Sequence, residues 1–226
     1  MAQEKNSSSP KDKLVISSID EGGVGREKVR IALSDGSSFF ILKNTLLLEG
    51  LHKGDELDSR ELGRILLQSS NTEAQSKALS FLARAPHSRE GLRLKLLKRR
   101  FPTESIDFAL KRMEEMEYLD DRKFAEDWLA SRMKHHPEGK GALLAGLLKR
   151  GVPREVAVGI VDRRLSREEE RICAEEYINR TPTLRSLDRR KVARKLVSRG
   201  FSTEIIYEIL RSWHGGQGEE TGFSDQ

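Results

Sequence analysis

Lys98-Arg99-Arg100-Phe101-Pro102-Thr103-Glu104, Lys149-Arg150-Gly151-Val152-Pro153-Arg154-Glu155 and Ser198-Arg199-Gly200-Phe201-Ser202-Thr203-Glu204 can be laid over one another in a single register. Phe101, Val152 and Phe201 then stand in equivalent places about fifty residues apart, within the period range of repeat architectures. Upstream, Leu92 and Leu96 match Leu143 and Leu147, and then Val192 and Leu196. Downstream, Ile106, Ala109 and Leu110 match Ala157, Ile160 and Val161, and then Ile206, Ile209 and Leu210. Spacings of three and four put each set on one helix face, so each predicts a buried stripe. A further apolar helix opens each copy: Leu79 and Leu82, then Phe124, Ala125, Trp128 and Leu129, then Ile172, Tyr177 and Ile178.

The repeated unit is therefore three helices. Gly151 and Gly200 suit the left-handed position that ends a helix. Arg100 holds that place in the first copy, which either takes the same conformation or ends its helix another way. One such triplet has little core alone, so neighbouring copies should stack into an elongated, curved, mainly α-helical body.

Moving outward from the repeats, residues 1–12 are polar and Ser-rich and read as a disordered arm. Apolar residues recur with partial alternation over Leu14 to Ile19 and Val29 to Leu33, and Phe39 to Leu42 follows the turn signal Ser34-Asp35-Gly36. Asp-Gly between such runs signals a hairpin, so Leu14 to Lys43 reads as a small antiparallel sheet. Gly22-Gly23-Val24-Gly25 is its first loop; a phosphate-cradling loop would need the Gly-Lys-Ser/Thr ending and a helix after it. Asn44 to Glu49 gives a short helical turn. A helix capped by Asp58 or Ser59 carries Leu62, Ile65 and Leu66 to about Gln68, and Ala74 to Ala83 reads as its continuation up to Pro86.

Of the 226 residues, 36% are hydrophobic and 34% charged, and 41 basic residues against 36 acidic ones leave a net charge of +5. That balance suits thin helices with much solvated surface, and permits nucleic-acid contact without requiring it. One cysteine, Cys173, excludes an internal disulfide and a cysteine-based zinc site, which fits a reducing, cytoplasmic setting. No apolar run approaches the roughly 18 residues of a membrane span, and the N-terminus has no apolar signal core.

Enzyme signatures are missing: the sequence has no Gly-x-Ser-x-Gly, no Walker sequence and no His-Glu-x-x-His. Adjacent His135 and His136 point to different faces of a helix and cannot chelate one metal there. Asp120-Asp121 reads as a helix-capping pair rather than a metal site. Cys173 reads as a small core residue, and Trp128, Tyr177 and Trp213 as core rather than base-stacking aromatics. The basic residues are unequally distributed. Arg89, Arg93, Lys95, Lys98, Arg99 and Arg100 load the middle helix of the first copy, and Arg189, Arg190, Lys191, Arg194, Lys195 and Arg199 that of the third. The second has only Lys140, Lys149 and Arg150. A solvated face is one reading; the other is an anionic partner, since helices dense in cations repel themselves.

Three further strings stand out: Pro86-His87-Ser88-Arg89-Glu90-Gly91-Leu92 with Lys95-Leu96, then Tyr118-Leu119-Asp120-Asp121 followed by Phe124-Ala125, then Arg132, Gly139, Leu143, Leu147 and Lys149-Arg150-Gly151-Val152. On these residues the chain, from about Ala78 to Leu210, resembles the RecX family, regulators of the RecA recombinase. Three positions depart: Glu117 and Arg100 stand where the family usually has glycine, and Lys140 where it usually has proline. The resemblance implies tandem three-helix repeats that lodge in the groove of a RecA filament on single-stranded DNA. It implies modulation, chiefly inhibition, of ATP hydrolysis, strand exchange and the co-protease activity of the SOS response, with no catalytic residue, metal or cofactor. The implied partners are the RecA filament, single-stranded DNA and, as a further candidate, duplex DNA. The expected contacts are Arg89, Arg93, Lys95, Lys98 and Arg99, then Arg132, Lys149 and Arg150, then Arg189, Arg190, Arg194, Lys195 and Arg199. The expected divisions are an arm over 1–12, a β-rich leader over 13–57, a linker helix with the first repeat over 58–121, a second repeat over 122–166, a third over 167–214 and a tail over 215–226. A helix-turn-helix DNA-binding protein and a helical scaffold for another protein are the rival readings.

Overall fold

The computed structural model describes residues 13–23 and 25–213. The expected arm and tail, His214 and the tip of the first loop at Val24 lie outside them. The chain is mainly helical with a small antiparallel sheet at its start, and it divides into two compact units, Met1–Ala85 with Arg93–Tyr118, and Pro86–Leu92 with Leu119–Gln226.

In the first unit, strands β1 (Leu14–Gly23), β2 (Gly25–Leu33), β3 (Ser38–Leu42) and β4 (Glu56–Leu57) form an antiparallel sheet in the order β3-β2-β1-β4. Ile16, Val29, Ile31, Leu33 and Ile41 come from one face of it and pack with Leu57 and Ile65. The Asp-Gly turn joins β2 to β3: Gly36 has φ 84°, and the Asp35 carboxylate accepts from the Ser37 amide at 2.9 Å. Gly23 pairs with Gly25 across the first hairpin, so the glycine stretch continues two strands. The two-residue β4, which pairs with Leu14 and Val15, was too short to show as an alternating run.

Helix α1 (Lys43–Glu49) leads to α2 (Ser59–Leu82), whose N-cap is Asp58, in a reciprocal capping box with Glu61. Its 24 residues make one helix, without a break at Gln68. Polar residues in its middle serve neighbouring elements. Ser69 accepts from the Leu42 amide at 2.9 Å, and the Ser70 hydroxyl accepts from that of Ser105 at 2.9 Å. Ile65 belongs to the sheet's core, while buried Ala74 and Ala78 occupy the half of α2 beyond it. Alanine there lets α4 (Thr103–Glu115) approach closely, with Ile106, Ala109, Leu110 and Met113 all fully buried. Helix α3 (Arg89–Leu97) contributes residues to both units.

The second unit holds two three-helix domains. Helices α5 (Asp121–His135), α6 (Lys140–Lys149) and α7 (Arg154–Arg164) close on Ala125, Leu129, Leu143, Leu147, Val152, Ala157, Ile160, Val161 and Leu165. Helices α8 (Arg167–Asn179), α9 (Arg189–Ser198) and α10 (Thr203–Arg211), with a 3-10 turn at Pro182–Ser186, close on a second core that includes Ala174, Val192, Leu196, Phe201, Ile205, Ile206 and Ile209. Cys173 is half-buried and packs against both cores, a contact residue between domains rather than an interior residue of one. Burial pushes its thiol above the ordinary value.

The three aligned turns share one hydrogen-bond scheme. The amides of Phe101, Val152 and Phe201 donate back to the carbonyls of Leu96, Leu147 and Leu196 at 3.5, 3.2 and 3.2 Å. The residue before each donor is left-handed, with φ 63° at Arg100, 82° at Gly151 and 76° at Gly200. This is the helix-ending motif that satisfies carbonyls left free at a C-terminus. Arg100 therefore takes the glycine conformation despite its side chain, and so does Glu117 at φ 58°.

Candidate nucleic-acid interface

Within the second unit each turn seats on the start of the preceding domain's middle helix. The first amides of a helix lack intrahelical partners. At α6, the Gly139 amide donates to the Arg199 carbonyl at 3.0 Å and the Gly141 amide to that of Gly200 at 2.8 Å. The Lys140 amide donates to Glu170 Oε1 at 3.0 Å, and this nearly fully buried carboxylate also accepts from the Ser202 amide at 3.0 Å and the Ser202 hydroxyl at 2.9 Å. At α3, Ser88 donates its hydroxyl to the Arg150 carbonyl, and the Arg89 amide donates to Asp121 Oδ1 at 2.7 Å. The acidic pair at 120–121 is thus split. Asp120 caps its own helix through the amides of Arg122 and Lys123, while Asp121 serves α3.

This frame fixes which cations are engaged within the protein. Arg132 makes a two-bonded pair with Glu138, Nε to Oε2 at 2.9 Å and Nη2 to Oε1 at 2.7 Å, which holds its guanidinium above the ordinary value. Arg199 lies 3.8 Å from the same carboxylate and sits over the Tyr177 ring at 5.0 Å. Arg150 sits over the Trp128 ring at 4.6 Å and donates to the Gly146 carbonyl at 2.9 Å. Arg189 donates to the Trp213 carbonyl at 3.1 Å. In the first unit Arg93 is paired with Asp107, and Lys95 lies 5.3 Å from the centre of the Phe81 ring.

Trp128 and Tyr177 read as core in the sequence and do pack on their domains' cores, but that these rings and Phe81 also carry cations went unrecognised there. Their signal is a shared register: Ala78-x-x-Phe81-Leu82, Ala125-x-x-Trp128-Leu129 and Ala174-x-x-Tyr177-Ile178. Each ring carries a cation on its face, an attraction worth about 0.5–1 kcal/mol when exposed.

Lys98, Arg99, Lys149, Arg190, Arg194 and Lys195 are exposed and have no side-chain partner among the described residues. Three of them share α9. Buried Val192 and Leu196 fix the inner face of that helix, so Arg190, Arg194 and the 63%-exposed Val197 point outward, with Lys191 and Lys195 beside them. No acid lies between Arg189 and Ser198. Asp188 caps the helix, accepting from the Lys191 amide at 2.8 Å, a bond that holds its carboxyl below the ordinary range. Such a face can hold several anionic groups along about 15 Å of helix. No helix among the described residues is long and apolar enough to cross a membrane.

Family models described as the first and second three-helix domains of RecX match residues 74–113 and 120–157. The regulatory protein RecX of Chlorobaculum tepidum is 33% identical over 70% of this chain and 98% of its own length. That of Thermus thermophilus is 35% identical over 67% and 98%, and that of Clostridium acetobutylicum 26% identical over 87% and 94%. A crystal structure of a regulatory protein RecX shares the fold with a TM-score of 0.63 at 21% identity, covering 88% of this chain and 98% of that one.

Proposed function

Because the chain belongs to the RecX family, we propose that it is a non-enzymatic regulator that binds a RecA-type recombinase filament on single-stranded DNA and lowers its ATPase, strand-exchange and co-protease activities. The relatives' name, regulatory protein, supports a binding role. The observation that carries the contact with DNA is the outer face of α9, where Arg190, Arg194 and Lys195 are left without partners among the described residues. Partnerless cations on one ridge are free to displace counterions from phosphates at no cost in internal ion pairs. Arg132, Arg150 and Arg199 stay in the reading as orienting residues, since each is held by a carboxylate or a ring. Arg89, Arg93, Lys95, Lys98, Arg99, Lys149 and Arg189 complete the proposed contact set.

The experiment is charge reversal of Arg190 and Arg194 together, both being solvent-facing. Inhibition of the recombinase should weaken with the helical circular dichroism unchanged. The salt dependence of single-strand binding should become shallower by about 1.4 in log–log slope, about 0.7 for each phosphate that is no longer neutralised. Full inhibition and an unaltered slope in that variant would remove α9 from the site. Binding to duplex DNA with no effect on a recombinase would favour the helix-turn-helix alternative instead.

A further inference from the structure

The three copies provide an internal control on what the fold requires of each position. Leu94 of α3 corresponds to Ala145 of α6 and Arg194 of α9, and Leu97 to Leu148 and Val197. Phe108 of α4 corresponds to Gly159 and Glu208. In the first copy these positions are outward-facing and apolar, with Leu94 50%, Leu97 44% and Phe108 47% exposed. The fold accepts arginine, glycine and glutamate at the matching places elsewhere, so neither Leu94 nor Phe108 is there for the core. Single exposed leucines need no explanation, but two on one helix face mark an interaction surface, and the next helix exposes a third large apolar residue, Phe108.

The edge of that surface is cationic. Lys98 and Arg99 follow Leu97 directly, are exposed, and have no partner among the described residues. Cations at a helix C-terminus suit the helix dipole, which accounts for their charge but not for the leucines beside them. Taken with the leucines, they complement a surface that offers apolar side chains next to carboxylates. We infer that Leu94, Leu97 and Phe108, with Lys98 and Arg99, dock an acidic amphipathic segment of a protein partner, whereas the outer face of α9 meets phosphates. The inference rests on the functional reading above and deepens it: the protein component of the filament is gripped by the first copy and its DNA by the third.

The test uses the full chain and two probes, an oligo-dT strand alone and the same strand coated with recombinase held by a non-hydrolysable ATP analogue. The variant Leu94→Arg places at 94 the residue that the third copy already carries, so the fold tolerates it. It should bind coated strand at least tenfold more weakly than the unaltered chain and bare strand within twofold. Lys98→Glu with Arg99→Glu should likewise bind coated strand at least tenfold more weakly. Binding of coated strand within twofold of the unaltered chain overturns the inference and leaves the functional reading standing. So does an equal loss on both probes, which would make this a nucleic-acid face. So does loss of self-association in sedimentation, which would make a second copy the occupant, with exposed Ile172 and the glutamates of α8 facing these leucines. If the unaltered chain ignores the coated strand, the functional reading and this inference fall together.

Discussion

Arg100 and Gly200 occupy the same place in two copies of one motif, yet substitution should act on them in opposite directions. Both are left-handed, a conformation that costs a residue with a Cβ roughly 1–2 kcal/mol. At Gly200 a Cβ would also fall 2.1 Å from the Ala142 amide nitrogen, because this turn is seated on the start of α6. A Cβ at Gly151 would likewise fall 2.6 Å from the Glu90 Cβ. Arg100→Gly and Glu117→Gly should therefore each raise stability by about 1 kcal/mol in urea melts, while Gly200→Ala should lower it by more than about 3 kcal/mol. Neutral outcomes at Arg100 and Gly200 alike would contradict the shared motif. The left-handed demand at these turns was legible in the sequence, because a glycine followed by a hydrophobic residue recurs in register. The second demand on Gly200 was not, because it comes from a residue nearly sixty positions away.

At the scale of elements, what joins the second and third domains is a set of backbone donors and one buried acid. Glu170 takes three hydrogen bonds from two other elements, one of them from the amide of Lys140, where the family usually has a proline that could not donate. Glu170→Ala would strand two amides and a hydroxyl in the interior. The expected loss is about 3 kcal/mol, by the measure of hydrogen bonds to charged groups, with Glu170→Gln recovering part of it. An unchanged urea midpoint in the alanine variant would show that the joint does not depend on this acid. Helices whose apolar stripes repeat were legible from spacing: all six residues of the sets around Leu92, Leu143 and Val192 are fully buried. The continuation of α2 through Ala74 was legible too, but the roles of Ser69 and Ser70 were not, because they bond to residues far along the chain. Asp121 was legible as a cap, though not as the cap of another helix.

Across the whole molecule, repetition sets the shape of each domain and its failure marks the proposed contacts. The three copies agree at buried positions and differ on their outer faces, apolar in α3, small in α6 and cationic in α9. The sequence showed which helices are rich in cations. It could not show which of those are already spent on Glu138, Asp107, Tyr177, Trp128 and Phe81, since these pairs are set by packing between helices. That sorting leaves a smaller free set than composition suggests, and the proposed regulation depends on it. The most direct measurement is the rate of ATP hydrolysis by a RecA-type recombinase on single-stranded DNA, with this chain titrated in well below one copy per recombinase protomer. A progressive fall in rate at those substoichiometric levels is the predicted result. A rate unchanged up to equimolar chain would contradict the proposed regulation.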